Sequence, residues 1–431
     1  MPVRVTISSA MSLISEITSQ NVVSNLAIIT GLITGLLVVF SPSGITGLFA
    51  SRKGIPAMML LSVIALSCAG EDRTADQFMP ENKEITHARG FDIEESGSFT
   101  LLTVHNPWQG AGRVTFSYVL AGRDADPGLI PPEMSGIPVI RTPVTSVICL
   151  STTHIAMLDL IGTTNSIVAV SGGEYIFHEE LRSRMENGEL PDIGYDMNLD
   201  YERILELSPD VVLAYGVDQE ATAWLERLQR LGIKVVMIGE YLEDSPLGQA
   251  EWVKFVARLF GKQKLAEEKF SEIEKEYMEL VQLAATTDDK PVVMSGLPWR
   301  GSWFVPGGDS HFARMISDAG GRYLWGGNKG RENFPVGLES VLEQATVADY
   351  WINTGSALSL SDIENTDKRL AGLRPYRNDK VYNNNARLNR SGGNDYWESG
   401  IINPQIILRD LILILHPPLL PEHEPFYYRQ L

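Results

Sequence analysis

The chain has 431 residues, too many for one hydrophobic core, so two or three domains are expected. Apolar residues make up 44 % and the mean hydropathy is −0.03, which describes a soluble globular chain. The formal charge is −18; residues 1–67 carry Arg4, Arg52, Lys53 and Glu16, a net of +2, so the remainder carries −20 and repels nucleic-acid phosphates.

Residues 17–51 hold no charged side chain, and Leu26 to Phe40 is apolar apart from Thr and Gly. That run is short for a bilayer span of roughly 20 residues. Arg52-Lys53, the apolar stretch Ile55 to Leu66 and Ser67-Cys68-Ala69-Gly70 follow directly. This is the outline of a secretory signal: a positive start, an apolar middle and a small residue before Cys. It resembles a bacterial lipoprotein signal, which implies that Cys68 becomes the lipidated first residue; Ala65 stands where that signal usually has Leu, and Leu66 follows it. The alternative is a plain transmembrane anchor. Residues 1–50 are then either an anchor or a spurious extension upstream of the true start. Cys149 lies in the apolar run Val147 to Leu150 and is expected in a buried strand, so with Cys68 lipidated no disulfide is available.

Residues 68–83 are expected to be a polar tether. Residues 84–122 are expected to form a small β appendage with strands at Phe91 to Glu94, Ser98 to Val104 and Arg113 to Leu120, or else to add strands to the lobe that follows. Residues 123–138, with Pro127, Pro131, Pro132 and Pro138, are a linker. A first α/β lobe spans 139–245. Its expected strands are Ser146 to Leu150, Ser166 to Val170, Val211 to Ala214 and Lys234 to Ile238. Its expected helices are His154 to Ile161, Tyr201 to Leu207 and Gln219 to Leu231. Alternating strand and helix implies a doubly wound parallel sheet.

Residues 246–285 are connecting helices. Ser245-Pro246 is a cap and first-turn pair, and Gly261 can close the helix it starts. Gln263 to Ala284 then has Ala266, Phe270, Ile273, Tyr277, Leu280 and Ala284 on one face, with Glu and Lys over the rest. The flanks of this helix resemble each other. Before it come Tyr201-Glu202-Arg203-Ile204-Leu205-Glu206, Ser208-Pro209-Asp210 and the apolar run Val211 to Tyr215. After it come Leu338-Glu339-Ser340-Val341-Leu342-Glu343, Thr346-Val347-Ala348-Asp349 and Tyr350 to Asn353. Thr153-His154 and Ser310-His311, each opening a helix that ends near Gly, form a second matched pair. The helix is therefore read as a strut between two related lobes. The second lobe, 286–431, has expected strands at Val292 to Ser295, Tyr350 to Asn353 and Val381 to Asn383. Its expected helices are Phe312 to Ala319, Leu338 to Gln344 and Asn403 to Leu415. The tail Pro417 to Leu431 has no assigned place.

The ordered set Leu150-Ser151-Thr152-Thr153, Met197-Asn198-Leu199, Tyr201-Glu202-Arg203-Ile204, Ser208-Pro209-Asp210-Val211-Val212 and the strut resembles the substrate-binding proteins of ABC importers for iron-siderophores, haem and vitamin B12. The resemblance covers about Val139 to Leu415. It implies two doubly wound α/β lobes joined by one long helix, with the β appendage as an addition. It further implies capture of a metal chelate between the lobes, delivery to a membrane permease, and no enzymatic activity, no covalently held cofactor and a monomeric state. A ligand between the lobes meets loops at the carboxyl ends of the strands. Candidates there are His154, Tyr175, Phe177, His178, Tyr195 and Tyr215 from lobe one, and Trp299, Arg300, Trp303, His311, Arg387, Arg390, Tyr396 and Trp397 from lobe two. Aromatic faces suit a broad planar ligand, and Arg suits its carboxylates.

The loop Leu297 to Gly308 carries most weight, since it follows a strand and precedes a helix. Its Trp299 and Trp303 could equally pack the loop down. His154 and His311 could each bond their own loops, and Arg387, Asn389, Arg390, Ser391 and Asn394 form either a binding loop or a solvated one. In the resembled importers a Glu on each lobe meets Arg residues of the permease, and Glu202 and Glu339 stand at the matching positions. The rival readings are an exported tetrapyrrole or metal chelatase, in which His154 and His311 could act as acid and base, a bare-metal-ion binding lipoprotein, and an adhesion lipoprotein. No G-x-S-x-G nucleophile motif is present.

Overall fold

The computed structural model describes residues 85–431 apart from 196–197, 218–220 and 299–300. The leader, the tether and Cys68 therefore lie outside the described residues, as do Trp299 and Arg300.

The first element is a four-stranded sheet in the order β1 (Phe91–Ser96), β2 (Phe99–His105), β3 (Thr115–Gly122), β4 (Val139–Thr142). The first three strands are antiparallel neighbours and β4 runs parallel to β3. Val139–Thr142, assigned from sequence to the start of lobe one, is thus the fourth strand of this sheet. Alternation decides which face goes where. Phe91, Ile93, Leu102, Val104, Tyr118, Leu120 and Ile140 join the core of lobe one, while Phe99, Val119, Ala121 and Met134 make a small cluster on the other face. The Met237 amide donates to the buried Tyr118 hydroxyl at 3.0 Å, which ties the sheet to the lobe.

Lobe one continues as β5 (Val147–Cys149), α1 (Thr152–Leu160), β6 (Ile167–Val170), α2 (Glu179–Glu186), α3 (Tyr201–Leu207), β7 (Val211–Ala214), α4 (Ala221–Arg230) and β8 (Val235–Met237). Its strands are all parallel, in the order β6-β5-β7-β8, and almost every residue in them is buried. Next come α5 (Pro246–Phe260) and α6 (Gln263–Ala284). Gly261, at φ +65°, closes α5 in the left-handed conformation that favours glycine. The buried residues of α6 are Ala266, Phe270, Ile273, Tyr277, Leu280 and Ala284, the stripe expected from spacing. Ala266 and Phe270 belong to the core of lobe one, and the other four to the core of lobe two.

Lobe two contains β9 (Val292–Ser295), β10 (Trp303–Val305), α7 (His311–Asp318), β11 (Arg322–Tyr323), β12 (Phe334–Val336), α8 (Leu338–Gln344), β13 (Tyr350–Ile352), α9 (Leu360–Thr366), α10 (Arg374–Arg377), β14 (Val381–Asn383), α11 (Pro404–Leu415) and β15 (Arg429–Gln430). Its sheet runs β11-β9-β13-β14-β15, with only the last pair antiparallel, and β10 pairs with β12 as a separate ribbon. The repeat reaches single hydrogen bonds. Asp210 accepts from the Thr145 amide at 2.7 Å just before β5 and pairs with Arg123; Asp349 accepts from the Val292 amide at 2.7 Å on β9 and pairs with Arg374.

The tail finds its place through one buried acid. Asp410 is fully buried on α11 and accepts from the amides of Phe426, Tyr427 and Tyr428 and from His423. These bonds seat Tyr427 and Tyr428 in the core and deliver β15 to the sheet edge.

Candidate ligand-binding site

Open α/β sheets bind ligands beyond the carboxyl ends of their strands, so the residues that follow β5 to β8 and β9 to β14 define the candidate cleft. In lobe one, four expected residues form a connected aromatic row. His154 sits in the first turn of α1, below a cap in which the Ser151 hydroxyl accepts from the Thr153 amide. Tyr215 directly follows β7, with its ring 6.4 Å from that of His154. The Tyr215 and Tyr195 hydroxyls are 3.3 Å apart, and the Tyr195 ring lies 5.7 Å from that of Tyr175. Gly172 makes the last contact possible. A Cβ there would stand 2.9 Å from the Tyr195 ring and 3.0 Å from the Tyr175 ring. Tyr175 and Tyr195 are 48 % and 47 % exposed. The neighbouring Glu174, through a hydrogen bond and its charge, raises the Tyr175 phenol above its ordinary value.

His154 itself offers no surface to a ligand. It is fully buried, and burial pushes its pKa down to about 3, so the ring is neutral at physiological pH. The expectation of direct ligand contact is corrected accordingly: the ring packs beneath Tyr215's row as part of the core.

Trp303 is corrected in the same way. It is 1 % exposed, its indole donates to the Ser295 carbonyl at 3.0 Å, and it stacks on Trp351 at 5.8 Å. An apolar ring with its one donor satisfied belongs in a core, and Trp303 pins the loop after β9 instead of lining the cleft. His311, the first residue of α7, is partly buried, and burial lowers its pKa to about 4.

Arg387 and Arg390 lie on the loop after β14, on the other side of β13 from Trp303 and His311. Arg387 donates to Asp395 at 2.5 Å and lies over the rings of Phe426 and Phe177 at 4.2 and 4.9 Å. Arg390 is exposed. This loop touches lobe one. The Asn389 amide donates to the Ile176 carbonyl at 2.7 Å and to the Glu174 carbonyl at 3.2 Å. The Glu398 carboxylate accepts from the amides of Phe177 and His178, both at 2.8 Å. On the far side of the lobes, Arg331 donates to the Leu242 carbonyl at 2.9 Å.

Glu398 was not expected from sequence, where one acid after Tyr396-Trp397 carries no signal. It is 3 % exposed, and its carboxyl is pushed up to about 7, chiefly by burial and further by Asp395, against the pull of the Phe177 and His178 amides. The exposed Trp397 precedes it directly. Tyr396, also expected in the cleft, is buried against Tyr427 and Tyr428.

With this geometry in view, the comparisons with known proteins are decisive for the family. The family model described as periplasmic binding protein matches residues 147–388, more than half of the chain. The chain belongs to the periplasmic binding protein family. It is 27 % identical to an uncharacterized lipoprotein of Methanocaldococcus jannaschii over 65 % of this chain and 67 % of that one. Among solved structures it is similar to a periplasmic binding protein from Veillonella parvula (TM-score 0.51, 12 % identity, 73 % of this chain and 98 % of the other). It is also similar to a possible iron-binding, periplasmic solute-binding protein from Staphylococcus epidermidis (TM-score 0.50, 19 % identity, 64 % and 100 %). These likenesses share the two-lobe α/β fold of the family.

The two acids expected at a membrane partner are both on the surface. Glu202 lies in the first turn of α3, whose start is capped by the Asp200 carboxylate accepting from the Arg203 amide at 2.9 Å. Glu339 lies in the first turn of α8, and its side chain is 83 % exposed and 2.6 Å from the Arg369 guanidinium. Arg369 is in turn held by Asp367 through two further bonds.

Proposed function

We propose that this protein is the lipid-anchored binding protein of an ABC importer and captures a metal chelate (ferric siderophore, haem or cobalamin) between its lobes. The observation that carries the reading is the half-exposed Tyr175–Tyr195 pair, backed by Tyr215, at the carboxyl ends of the strands of a family member. Such a row offers flat apolar area with phenol hydroxyls at its edge, which suits a large, partly aromatic ligand better than a bare ion. Arg390, on the opposing loop, supplies a positive charge for a ligand carboxylate. The possible iron binding of the similar Staphylococcus protein agrees with this class. Cys68 is the proposed lipid attachment, in line with the lipoprotein name of the Methanocaldococcus relative, and would tether the body to a membrane of the cell envelope.

Delivery is assigned to Glu202 and Glu339. A carboxylate in a helix first turn is favoured locally by about 0.3–1 kcal/mol, so both can be held ready at little cost while remaining exposed to a basic permease surface. The test is paired. Purified wild type is titrated with haemin, cyanocobalamin and ferrioxamine by absorbance and fluorescence, and the Glu202→Ala/Glu339→Ala variant is assayed for the same binding and for uptake in cells. The expected outcome is unchanged ligand affinity with uptake nearly abolished. Unchanged uptake removes the docking assignment; lost binding moves the two acids into the cleft.

A further inference from the structure

We propose that Glu398 and Asn389 form a latch that holds the two lobes together along one edge before any ligand arrives. Residues 174–178 after β6 and 389–398 after β14 belong to different lobes, yet they share the densest set of polar contacts between them. The Glu398 carboxylate lies at the amino end of α2, an eight-residue helix, and accepts from the Phe177 and His178 amides. Helix starts leave amides without partners, and here the other lobe supplies the acceptor. Asn389 works in the reverse sense, donating to the carbonyls of Glu174 and Ile176, while its own side-chain oxygen accepts from the Ser391 and Gly393 amides and so shapes its loop. The Thr152 hydroxyl adds a bond to the Trp397 carbonyl at 3.4 Å.

The contact is close at the backbone level. A Cβ on Gly393 would stand 2.4 Å from the Tyr175 carbonyl oxygen, so no side chain fits between the loops there. Glu398 is buried at this seam, whereas the Arg331–Leu242 bond on the opposite edge of the lobes is exposed. Burial makes the carboxylate's acceptors costly to leave unpaired, so the seam resists parting more than the far edge does. The same segments carry Tyr175, Arg390 and Trp397, so the latch also sets the spacing of those groups at the cleft mouth.

The experiment is amide hydrogen exchange on the ligand-free, full-length protein, comparing wild type with Glu398→Gln and Gly393→Ala. Glu398→Gln replaces one acceptor oxygen by an NH2 group that cannot accept, and Gly393→Ala sets a methyl group against the Tyr175 carbonyl and the Asn389 side-chain amide, parting the loops without changing charge. Expected for both variants is at least tenfold faster exchange in 174–182 and in 387–399 together, with protection of β5, β7, β9 and β13 unchanged. Faster exchange confined to 174–182 in Glu398→Gln would make Glu398 a local helix cap and overturn the latch. Wild-type exchange in Gly393→Ala would show that the loops are already apart in solution, and would overturn it as well.

Discussion

The buried neutral state of His154 makes a prediction that also decides its role. Its folded pKa lies near 3 against an ordinary 6.5, and the cause is burial. A folded pKa below the unfolded one means that the unfolded chain takes up a proton first. The stability His154 contributes is therefore complete above about pH 6.5 and is lost as pH falls toward the folded value. Each pH unit inside that window costs about 1.4 kcal/mol, so lowering the pH from about 7.5 to about 4.5 removes roughly 3 kcal/mol through this one ring. The perturbation is His154→Phe, which keeps an aromatic ring and removes the titration. Its stability at neutral pH is expected to stay close to wild type, because the ring has at most one weak bond, to the Leu213 backbone, to lose. The assay is urea unfolding of both proteins at three pH values. The gap between them should widen by roughly 3 kcal/mol in favour of the variant as the pH falls, and His311 cancels because both proteins carry it. Parallel curves would refute the reasoning. They would mean that the folded ring binds a proton and reaches water, which would return His154 to the cleft as a ligand contact.

Two further predictions concern the tail and the aromatic pair. Asp410→Ala leaves the amides of Phe426, Tyr427 and Tyr428 without their acceptor and should destabilise the protein by roughly 3–5 kcal/mol, read from urea unfolding, with early proteolysis after residue 416 as the local sign. Tyr175→Ala with Tyr195→Ala removes half-exposed rings, so unfolding should be nearly unchanged while binding of whichever chelate titrates wild type weakens about tenfold, a loss of about 1.4 kcal/mol.

What the sequence made legible follows from which forces are local. The α6 stripe was readable because helical spacing alone selects its buried face, and the two acid-bearing helices α3 and α8 were readable because their first-turn Glu, closing turns and following strands repeat in order. Tyr175, Tyr195 and Tyr215 were nominated by the rule that loops after parallel strands face the ligand, and the structure brings them into one row. Trp303 was misjudged because an indole with a satisfied donor looks the same in sequence as one that waits for a ligand; only the Ser295 carbonyl and the Trp351 ring distinguish them. Glu398 and Asp410 were missed for a related reason. Each accepts hydrogen bonds from backbone amides distant in sequence, and a backbone amide leaves no residue type to match. Asp410 did leave a trace, as the one acid in the apolar run Ile406 to Leu415, and that break in pattern is the signal to look for a buried partner.

The cores argue for a small range of motion. Strut residues Ala266 and Phe270 are packed in lobe one, and Ile273 to Ala284 in lobe two, without a gap in the helix. The sharing is reciprocal: Leu247 of α5 is buried in the core of lobe two, and Ile402, which precedes α11, is buried in that of lobe one. A large hinge rotation would have to unbury these side chains, at about 1.5–3 kcal/mol each. A rocking of a few degrees about α6 would not, since packed helices tolerate small sliding. With such packing, a bound ligand would change the spacing of the lobes only slightly. Two exposed acids, one on each lobe, are a means by which a partner could measure that spacing. Glu202 and Glu339 differ in one respect that bears on this: the Arg369 guanidinium already lies 2.6 Å from Glu339, so a partner that docked there would have to share or displace it.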